Sequence, residues 1–321
     1  MKKTNTFVLS LSLFVISILV CLAIAEGALR LKNLSGENYD IEMWRYSREL
    51  KRASADKILG HEHVPLSSAV LQNIEISLNE RGLRGAPISP PVPDRRRILI
   101  LGSSITLGWG VREEETLTAR LTALFAKDGQ TVEVLNGGVG NYNTVRYVNW
   151  FLSGLTDLKP TDIVVHYFIN DAETLDAGGG NFLLQHSQLA VSLWIAANRL
   201  FGDGGETSLI EHYKKVYDDS APSYRAMLVA LDKLKDYAKK NQIRVTLSIV
   251  PDVHNLTDYP FGFIHTKMAV AAADRGFAFV DLYPGFDGMT PKKIWSMPGD
   301  PHPNGVGHEI MAQALFAALR N

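Results

Sequence analysis

Five short apolar runs, spaced between helical segments, constrain the fold of this chain more than any other feature. They are nearly continuous rather than alternating, which is typical of strands buried on both faces of a parallel sheet. The runs cover residues 97–101, 132–135, 162–167, 243–250 and 277–282. Helical patterns cover residues 115–126, 142–155, 224–240 and 304–319. The alternation predicts an α/β fold with helices on both faces of a five-stranded parallel sheet, a three-layer α/β/α sandwich.

The N-terminus carries an apolar run long enough to cross a membrane. Lys2 and Lys3 precede 19 residues from Phe7 to Ala25. As a helix this run would reach roughly 28 Å, close to the roughly 30 Å hydrocarbon thickness of a bilayer. A signal-peptide core is usually shorter, about 7–15 residues, although small residues at the end of this run suit a signal peptidase. The pattern favours a retained inner-membrane anchor over residues 7–25, with cleavage after Ala25 and secretion as the alternative. In both cases the rest of the chain lies in the periplasm or outside the cell.

The remaining chain divides into a lead-in segment and one domain. Residues 26–95 show little periodicity and end in a proline-rich stretch that is typical of an extended linker. Residues 96–321 hold the alternating strands and helices. Within them, residues 172–212 interrupt the alternation with an apolar segment between two glycine clusters. We interpret this insertion as a helix packed over the strand ends, with a mobile lid as the alternative.

Charge and cysteine content exclude several classes of function. The formal net charge is -1, and the basic residues are spread along the chain. Neither a nucleic-acid groove nor a polybasic membrane surface is therefore indicated. Cys21 is the only cysteine and lies inside the apolar N-terminal run. It excludes an intrachain disulfide and a cysteine-based metal site.

Serines and glycines follow the first two predicted strands. The first strand runs into Gly102, Ser103 and Ser104. A serine at such a turn projects at the carboxyl edge of the sheet, and the N-terminus of a following helix favours developing negative charge there. A simple helix cap is the alternative. The second strand ends in residues 136–142, where three glycines allow close approach to backbone N–H groups. An ordinary glycine turn is the alternative there.

Polar side chains also follow the third and the last predicted strands. Asn170 can present a side-chain amide as a donor, and Asp171 can brace its loop by accepting backbone hydrogen bonds. Asp300 and His302 lie two residues apart in a proline-fixed turn. Such an imidazole can take a proton from a serine hydroxyl while the carboxylate holds its other nitrogen. We interpret His308, inside the closing helix, as structural. Because the carboxyl ends of parallel strands meet at one edge, the four segments predict one active site.

Together these segments resemble the SGNH (GDSL-type) hydrolase family. Its four sequence blocks are similar, in order, to residues 101–110, 136–144, 168–171 and 300–308. The pattern Asn79-x-x-Gly82-x-Arg84 also resembles a lead-in found in membrane-anchored bacterial members. The resemblance covers roughly residues 75–320. It implies the flavodoxin-like SGNH hydrolase fold, with residues 96–321 as the catalytic domain.

The resemblance implies an ester hydrolase that uses no metal and no organic cofactor. The implied catalytic triad consists of Ser104, His302 and Asp300. The groups implied to hold the oxyanion belong to Ser104, Gly138, Gly140, Asn141 and Asn170. The expected substrate is an ester of a small molecule or a glycan.

The chain departs from the family pattern at four points. Ser103 replaces the aspartate that usually precedes the nucleophile, and the register of the block points to Ser104. The register also places Asn141 where the family has its oxyanion glycine, and asparagine tolerates left-handed geometry better than most residues. Phe168 replaces the glycine of the third block, and the acid precedes the base by two residues rather than three.

Two other functions are compatible with the same residues. The site can transfer an acyl group, such as acetyl, to a cell-envelope polysaccharide instead of to water. A decayed site that only binds carbohydrate is the second alternative, suggested by the changes at Ser103 and Phe168.

Overall fold

A computed structural model describes residues 2–93, 95–175, 182–201, 206–298 and 300–320. The helices are α1 (Lys2–Lys32), α2 (Tyr39–Glu49), α3 (Ser104–Leu107), α4 (Leu117–Lys127), α5 (Thr144–Trp150), α6 (Phe182–His186), α7 (Gln188–Phe201), α8 (Glu206–Val216), α9 (Pro222–Asn241), α10 (Gly262–Ala273), α11 (Pro291–Ile294) and α12 (Gly305–Leu319). The strands are β1 (Lys51–Ala53), β2 (His61–His63), β3 (Ser68–Leu71), β4 (Ile74–Ser77), β5 (Arg96–Gly102), β6 (Val132–Gly138), β7 (Asp162–Tyr167), β8 (Arg244–Ile249), β9 (Ala278–Asp281), β10 (Trp295–Met297) and β11 (Asp300–Pro303).

Strands β5 to β9 form one five-stranded sheet in the order β6-β5-β7-β8-β9. Every neighbouring pair in it is parallel. The order reverses between β5 and β7, as in flavodoxin-like doubly wound sheets, so the carboxyl ends of β5, β6 and β7 border a crevice. The predicted five-stranded parallel sheet is confirmed.

The central strand β5 shows how the two faces of the sheet are covered. Leu99 and Leu101 point into a core shared with helices α5, α9 and α10. Ile98 and Ile100 point to the other face, into a core shared with α4 and α12. All four side chains are fully buried, and each such burial contributes about 1.5–3 kcal/mol. The α/β/α sandwich is therefore three layers deep, as predicted.

The lead-in segment is more ordered than its sequence pattern indicates. It folds into α2 and two antiparallel hairpins, β1–β2 and β3–β4. Tyr46, Leu71 and Ile76 form a third core with Leu107 and Trp109, which lie just after the first sheet strand. The segment is thus packed directly against the residues that follow Ser104.

The N-terminal helix α1 has an exposed part and a packed part. Residues 7–24 are exposed to their surroundings. Within the described ranges, one helical stretch, Phe7–Ser35, is long and apolar enough to cross a membrane, with a mean hydropathy of 2.9 over its most apolar 18 residues. From Glu26 onward α1 contacts the insertion: the Glu26 carboxylate accepts hydrogen bonds from the amides of Gln188 and Leu189, at 3.0 and 2.8 Å.

The insertion contains three described helices, α6, α7 and α8, rather than the one helix expected. Its glycine clusters, at residues 178–180 and 202–205, lie outside the described residues. Helix α8 brings Leu209 and Tyr213 to the carboxyl edge of the sheet. The insertion therefore borders the predicted site.

Candidate active site

Ser104 lies where the central strand of the sheet turns into a helix. β5 ends at Gly102, Ser103 is the N-cap residue, and the single-turn helix α3 begins at Ser104. A Cβ atom at Gly102 would overlap the Thr106 hydroxyl and lie 2.7 Å from the carbonyl oxygen of His166. Glycine is therefore required for a turn this tight, and the turn places Ser104 at the carboxyl edge of the sheet.

The hydroxyl of Ser104 contacts an imidazole. Its Oγ lies 2.8 Å from Nε2 of His302, whose Nδ1 lies 2.6 Å from Oδ1 of Asp300. Because an ionised carboxylate only accepts hydrogen bonds, Nδ1 carries a hydrogen and Nε2 is left to accept one from the serine. Ser103 is buried, and within the described ranges its hydroxyl forms no hydrogen bond with an imidazole. Of the two serines, Ser104 is therefore the one placed to give its hydroxyl proton to His302.

Both carboxylate oxygens of Asp300 are held in place. Oδ1 also accepts the backbone N–H of His302 at 3.0 Å. Oδ2 accepts from Nε2 of Gln72 at 2.7 Å and from Nε1 of Trp109 at 2.9 Å. Burial opposes ionisation of Asp300, but the hydrogen bonds from His302 and Gln72 outweigh it and place the pKa of the carboxyl below its ordinary value. Asp300 is therefore charged at neutral pH and able to stabilise an imidazolium.

The glycine-rich loop after β6 offers fewer free backbone donors than predicted. The N–H of Gly138 donates to Oδ1 of Asn136 at 3.0 Å, and the N–H of Gly140 donates to the hydroxyl of Tyr46 at 2.8 Å. The prediction that Gly138 and Gly140 donate to the oxyanion is therefore wrong, because both backbone N–H groups already have an acceptor within the protein. Asn141 lines the pocket in a left-handed conformation, with φ of 63°. Its N–H has no acceptor among the described residues.

The two residues after the third sheet strand have different surroundings. Asn170 is exposed and lines the same pocket as Ser104. Asp171 is fully buried, and its Oδ2 accepts the N–H of Phe168 at 3.2 Å, which braces the loop as the sequence indicated. Its Oδ1 has no hydrogen-bond partner in the part of the chain that the structure describes. Burial raises the pKa of the Asp171 carboxyl well above its ordinary value.

His308 takes no part in the pocket. It is fully buried in α12, and its Nδ1 accepts the N–H of Leu117, the first residue of α4, at 3.0 Å. Burial lowers the pKa of His308 to about 3. The imidazole is therefore neutral and joins two helices, which confirms its structural interpretation.

The pocket around Ser104 has a volume of about 320 Å³. Side chains from three parts of the chain line it: Tyr39 from the lead-in segment, Leu209 and Tyr213 from helix α8, and Phe168 from a strand end. A larger cleft, of about 790 Å³, lies at the amino ends of the strands and is lined by no serine, cysteine or histidine. Across the described ranges, no cluster of three or more histidine, cysteine, aspartate or glutamate residues is arranged to hold a metal ion.

Comparison with protein families identifies this arrangement. A family model described as the GDSL-like lipase/acylhydrolase family matches residues 100–310, about two thirds of the chain. The chain belongs to the GDSL-like lipase/acylhydrolase family. It is accordingly an enzyme that hydrolyses ester bonds. None of the curated proteins matches the chain significantly.

Several solved structures are similar to this GDSL-like acylhydrolase at low sequence identity. A GDSL-like lipase from Bacteroides thetaiotaomicron is 17% identical with a TM-score of 0.43, over 73% of this chain and 92% of that one. A catalytic mutant of an acetylxylan esterase from Geobacillus stearothermophilus is 17% identical with a TM-score of 0.47, over 69% and 93%. An α/β hydrolase enzyme from the metagenome of Lake Arreo, Spain, is 18% identical with a TM-score of 0.46, over 70% and 94%.

The lead-in segment of this GDSL-like acylhydrolase also holds the glycine-rich loop. The carbonyl oxygen of Gly140 accepts from Nζ of Lys51 and from Nε2 of His61, both at 3.1 Å. The Tyr46 hydroxyl accepts the Gly140 N–H and donates to Nε2 of His63 at 2.6 Å. Both the N–H and the carbonyl oxygen of Gly140 are therefore fixed by residues outside the sheet domain.

The sequence alone does not reveal these supporting residues. Gln72, Trp109 and Tyr46 carry no local pattern that marks them, because their partners are distant in sequence. One signal was present in the lead-in motif. Its Arg84 is buried and donates to the carbonyl oxygens of Leu107 and Gly108, at 3.0 and 2.6 Å. The motif therefore ties the lead-in segment to the turn that follows Ser104.

Proposed function

We propose that the protein is a serine ester hydrolase that acts outside the cytoplasm through Ser104, His302 and Asp300. The observation that carries the proposal is the unbroken hydrogen-bonded relay from Ser104 Oγ through His302 to Asp300, with distances of 2.8 and 2.6 Å. An intact relay of this kind also weighs against a decayed site that only binds carbohydrate.

In the proposed reaction His302 accepts the proton of Ser104 as the serine oxygen attacks the ester carbonyl carbon. The imidazolium then gives this proton to the departing alcohol, which leaves an acyl-serine. Water attacks the acyl-serine with His302 again as the base, and the acid is released. Three groups would hold the oxyanion: the N–H of Ser104, the N–H of Asn141 and the side-chain amide of Asn170. Each donor of this kind is typically worth about 10²–10³ in rate.

The proposed location rests on helix α1. The helix continues without a break through Ala25 to Lys32, and its Glu26 and Arg30 are hydrogen-bonded to the insertion. This continuity favours a retained anchor in the inner membrane over cleavage after Ala25. Fractionation followed by intact-mass measurement tests it: the full mass in the membrane fraction is expected, and a soluble product beginning at Glu26 would overturn it.

A fluorophosphonate probe on the detergent-solubilised full chain tests the mechanism. The wild type and Ser103→Ala should be labelled, whereas Ser104→Ala should not be, and His302→Ala should be labelled far more slowly. Labelling that survives Ser104→Ala would overturn the proposed nucleophile.

Supplying an acetyl donor together with a glycan then separates hydrolysis, which gives free acetate, from acetyl transfer, which gives acetylated glycan.

A further inference from the structure

The pocket contains a second aspartate–histidine pair with the same local geometry as the proposed catalytic pair. Oδ1 of Asp252 accepts the backbone N–H of His254 at 2.8 Å and lies 2.6 Å from its Nδ1. The matching distances for Asp300 and His302 are 3.0 and 2.6 Å. In both pairs the carboxylate fixes the imidazole through Nδ1, so Nε2 is the ring atom left to bind another group.

The two imidazoles differ in what their Nε2 atoms contact. Nε2 of His302 is hydrogen-bonded to Ser104, whereas Nε2 of His254 has no hydrogen-bond partner among the described residues. Both side chains line the same pocket of about 320 Å³. The side chain of His254 is 57% exposed, while that of Asp252 is only 7% exposed. A buried carboxylate thus holds an open imidazole in the pocket that contains Ser104.

The turn that carries His254 is fixed from both sides. The backbone N–H of Asp252 donates to the hydroxyl of Tyr259 at 3.0 Å. The carbonyl oxygen of Val253 accepts Nε1 of Trp295 at 2.8 Å. The Tyr259 hydroxyl is in turn 3.0 Å from Nε2 of His265. The imidazole of His254 is therefore held in one orientation before any substrate arrives, which lowers the entropic cost of binding.

We propose that His254, oriented by Asp252, hydrogen-bonds a hydroxyl group on the alcohol portion of the ester, so that the substrate is an ester of a polyhydroxylated alcohol such as a sugar. This inference rests on the proposed serine ester hydrolase. With Nδ1–H given to Asp252, the neutral imidazole accepts a hydroxyl hydrogen at Nε2, and the protonated form donates to a hydroxyl oxygen. A hydroxyl group can serve both forms, which an alkyl alcohol portion cannot.

Two acetyl esters that differ in the alcohol test the proposal on the detergent-solubilised full chain. The probes are p-nitrophenyl acetate, which has no hydroxyl group, and a mono-O-acetylated methyl glucoside. His254→Ala should lower kcat/KM for the sugar ester about tenfold more than for p-nitrophenyl acetate, the effect of about one hydrogen bond. His254→Gln, whose amide reaches close to the Nε2 position, should recover part of the loss. Asp252→Asn should give an intermediate loss.

His186→Ala, which removes a histidine outside the pocket, is the matched control and should leave the ratio of the two activities unchanged. Equal losses on both esters in His254→Ala and His254→Gln, or no loss on either, would overturn the proposed subsite while leaving the serine mechanism standing. A wild type that no fluorophosphonate labels would overturn the serine mechanism and the subsite together.

Discussion

The side-chain amide of Gln72 donates a hydrogen bond of 2.7 Å to Oδ2 of Asp300, although 228 residues separate the two in the sequence. Gln72 lies in the turn of the β3–β4 hairpin, in a left-handed conformation with φ of 51°. Its own N–H donates to the buried carboxylate of Glu42 at 2.6 Å, which fixes the turn independently of Asp300. We infer that the catalytic domain, predicted from the sequence to begin at residue 96, also requires the lead-in segment.

Shortening Gln72 should therefore weaken catalysis. Gln72→Asn suits the left-handed backbone but is too short to reach Asp300, and we expect kcat for p-nitrophenyl acetate to fall about tenfold, since a hydrogen bond to a charged group is worth about 1.5–3 kcal/mol. Gln72→Glu should be worse, because a second carboxylate raises the pKa of Asp300. Steady-state kinetics measures both. Gln130→Asn, on the surface, is the control, and an unchanged kcat in Gln72→Asn would contradict the supporting role.

The hydroxyl of Tyr46 should matter for the glycine-rich loop after β6, which holds the proposed oxyanion donor Asn141. Tyr46→Phe leaves the N–H of Gly140 and Nε2 of His63 without a buried partner, at a cost of about 1–3 kcal/mol for each such group. We expect a lower melting temperature and a fall in kcat larger than any change in KM, because Asn141 follows Gly140 directly. Tyr237→Phe, in which no hydrogen bond to a described residue is lost from the hydroxyl, is the control. A Tyr46→Phe enzyme with unchanged kcat would mean that the loop keeps its shape unaided.

The sheet was predictable because its signal is local. Each buried parallel strand is a continuous apolar run, and the first such run, 97–101, became β5 with one residue added at each end. The lead-in hairpins gave no such signal. Their strands have three or four residues, too few for a period to be recognised. The β3–β4 hairpin is stabilised by contacts with Leu107 and Trp109, which are distant in sequence.

The candidate site was partly predictable for a similar reason. Ser104 directly follows β5, so its place at the carboxyl edge of the sheet comes from topology. His302 comes after the last sheet strand, β9, but lies in the short strand β11, which pairs with β10 outside the sheet. Whether the N–H groups of Gly138 and Gly140 are free depends instead on Asn136 and Tyr46, which no local pattern reveals. The second Asp-x-His, at residues 252–254, is present after the fourth strand, but its spacing gains meaning only because His254 and His302 line one pocket.

Neutralising Asp171 should change how stability depends on pH. Burial raises the pKa of this carboxyl above its value in the unfolded chain. The folded state therefore holds the proton more tightly, and stability falls as pH rises from about 4, the unfolded value. Asp171→Asn keeps an oxygen that accepts the N–H of Phe168. Because its amide does not ionise, the variant should not lose stability from this site as pH rises. We expect its melting temperature to rise relative to the wild type between pH 4 and pH 8. A constant difference across that range would contradict the raised pKa.

Replacing His308 should make the protein less sensitive to acid. The pKa of His308 is lowered to about 3 by burial, below its unfolded value of about 6.5, so its contribution to stability is fully present above pH 6.5 and is lost as pH falls towards 3. At pH 5 this loss amounts to about 2 kcal/mol. His308→Asn keeps an acceptor for the N–H of Leu117 but does not titrate. Although the variant should be less stable at pH 7.5, denaturant unfolding should show a smaller drop between pH 7.5 and pH 5 than in the wild type. An equal drop in both proteins would assign the acid sensitivity to other groups, of which the buried His166 is the first to test.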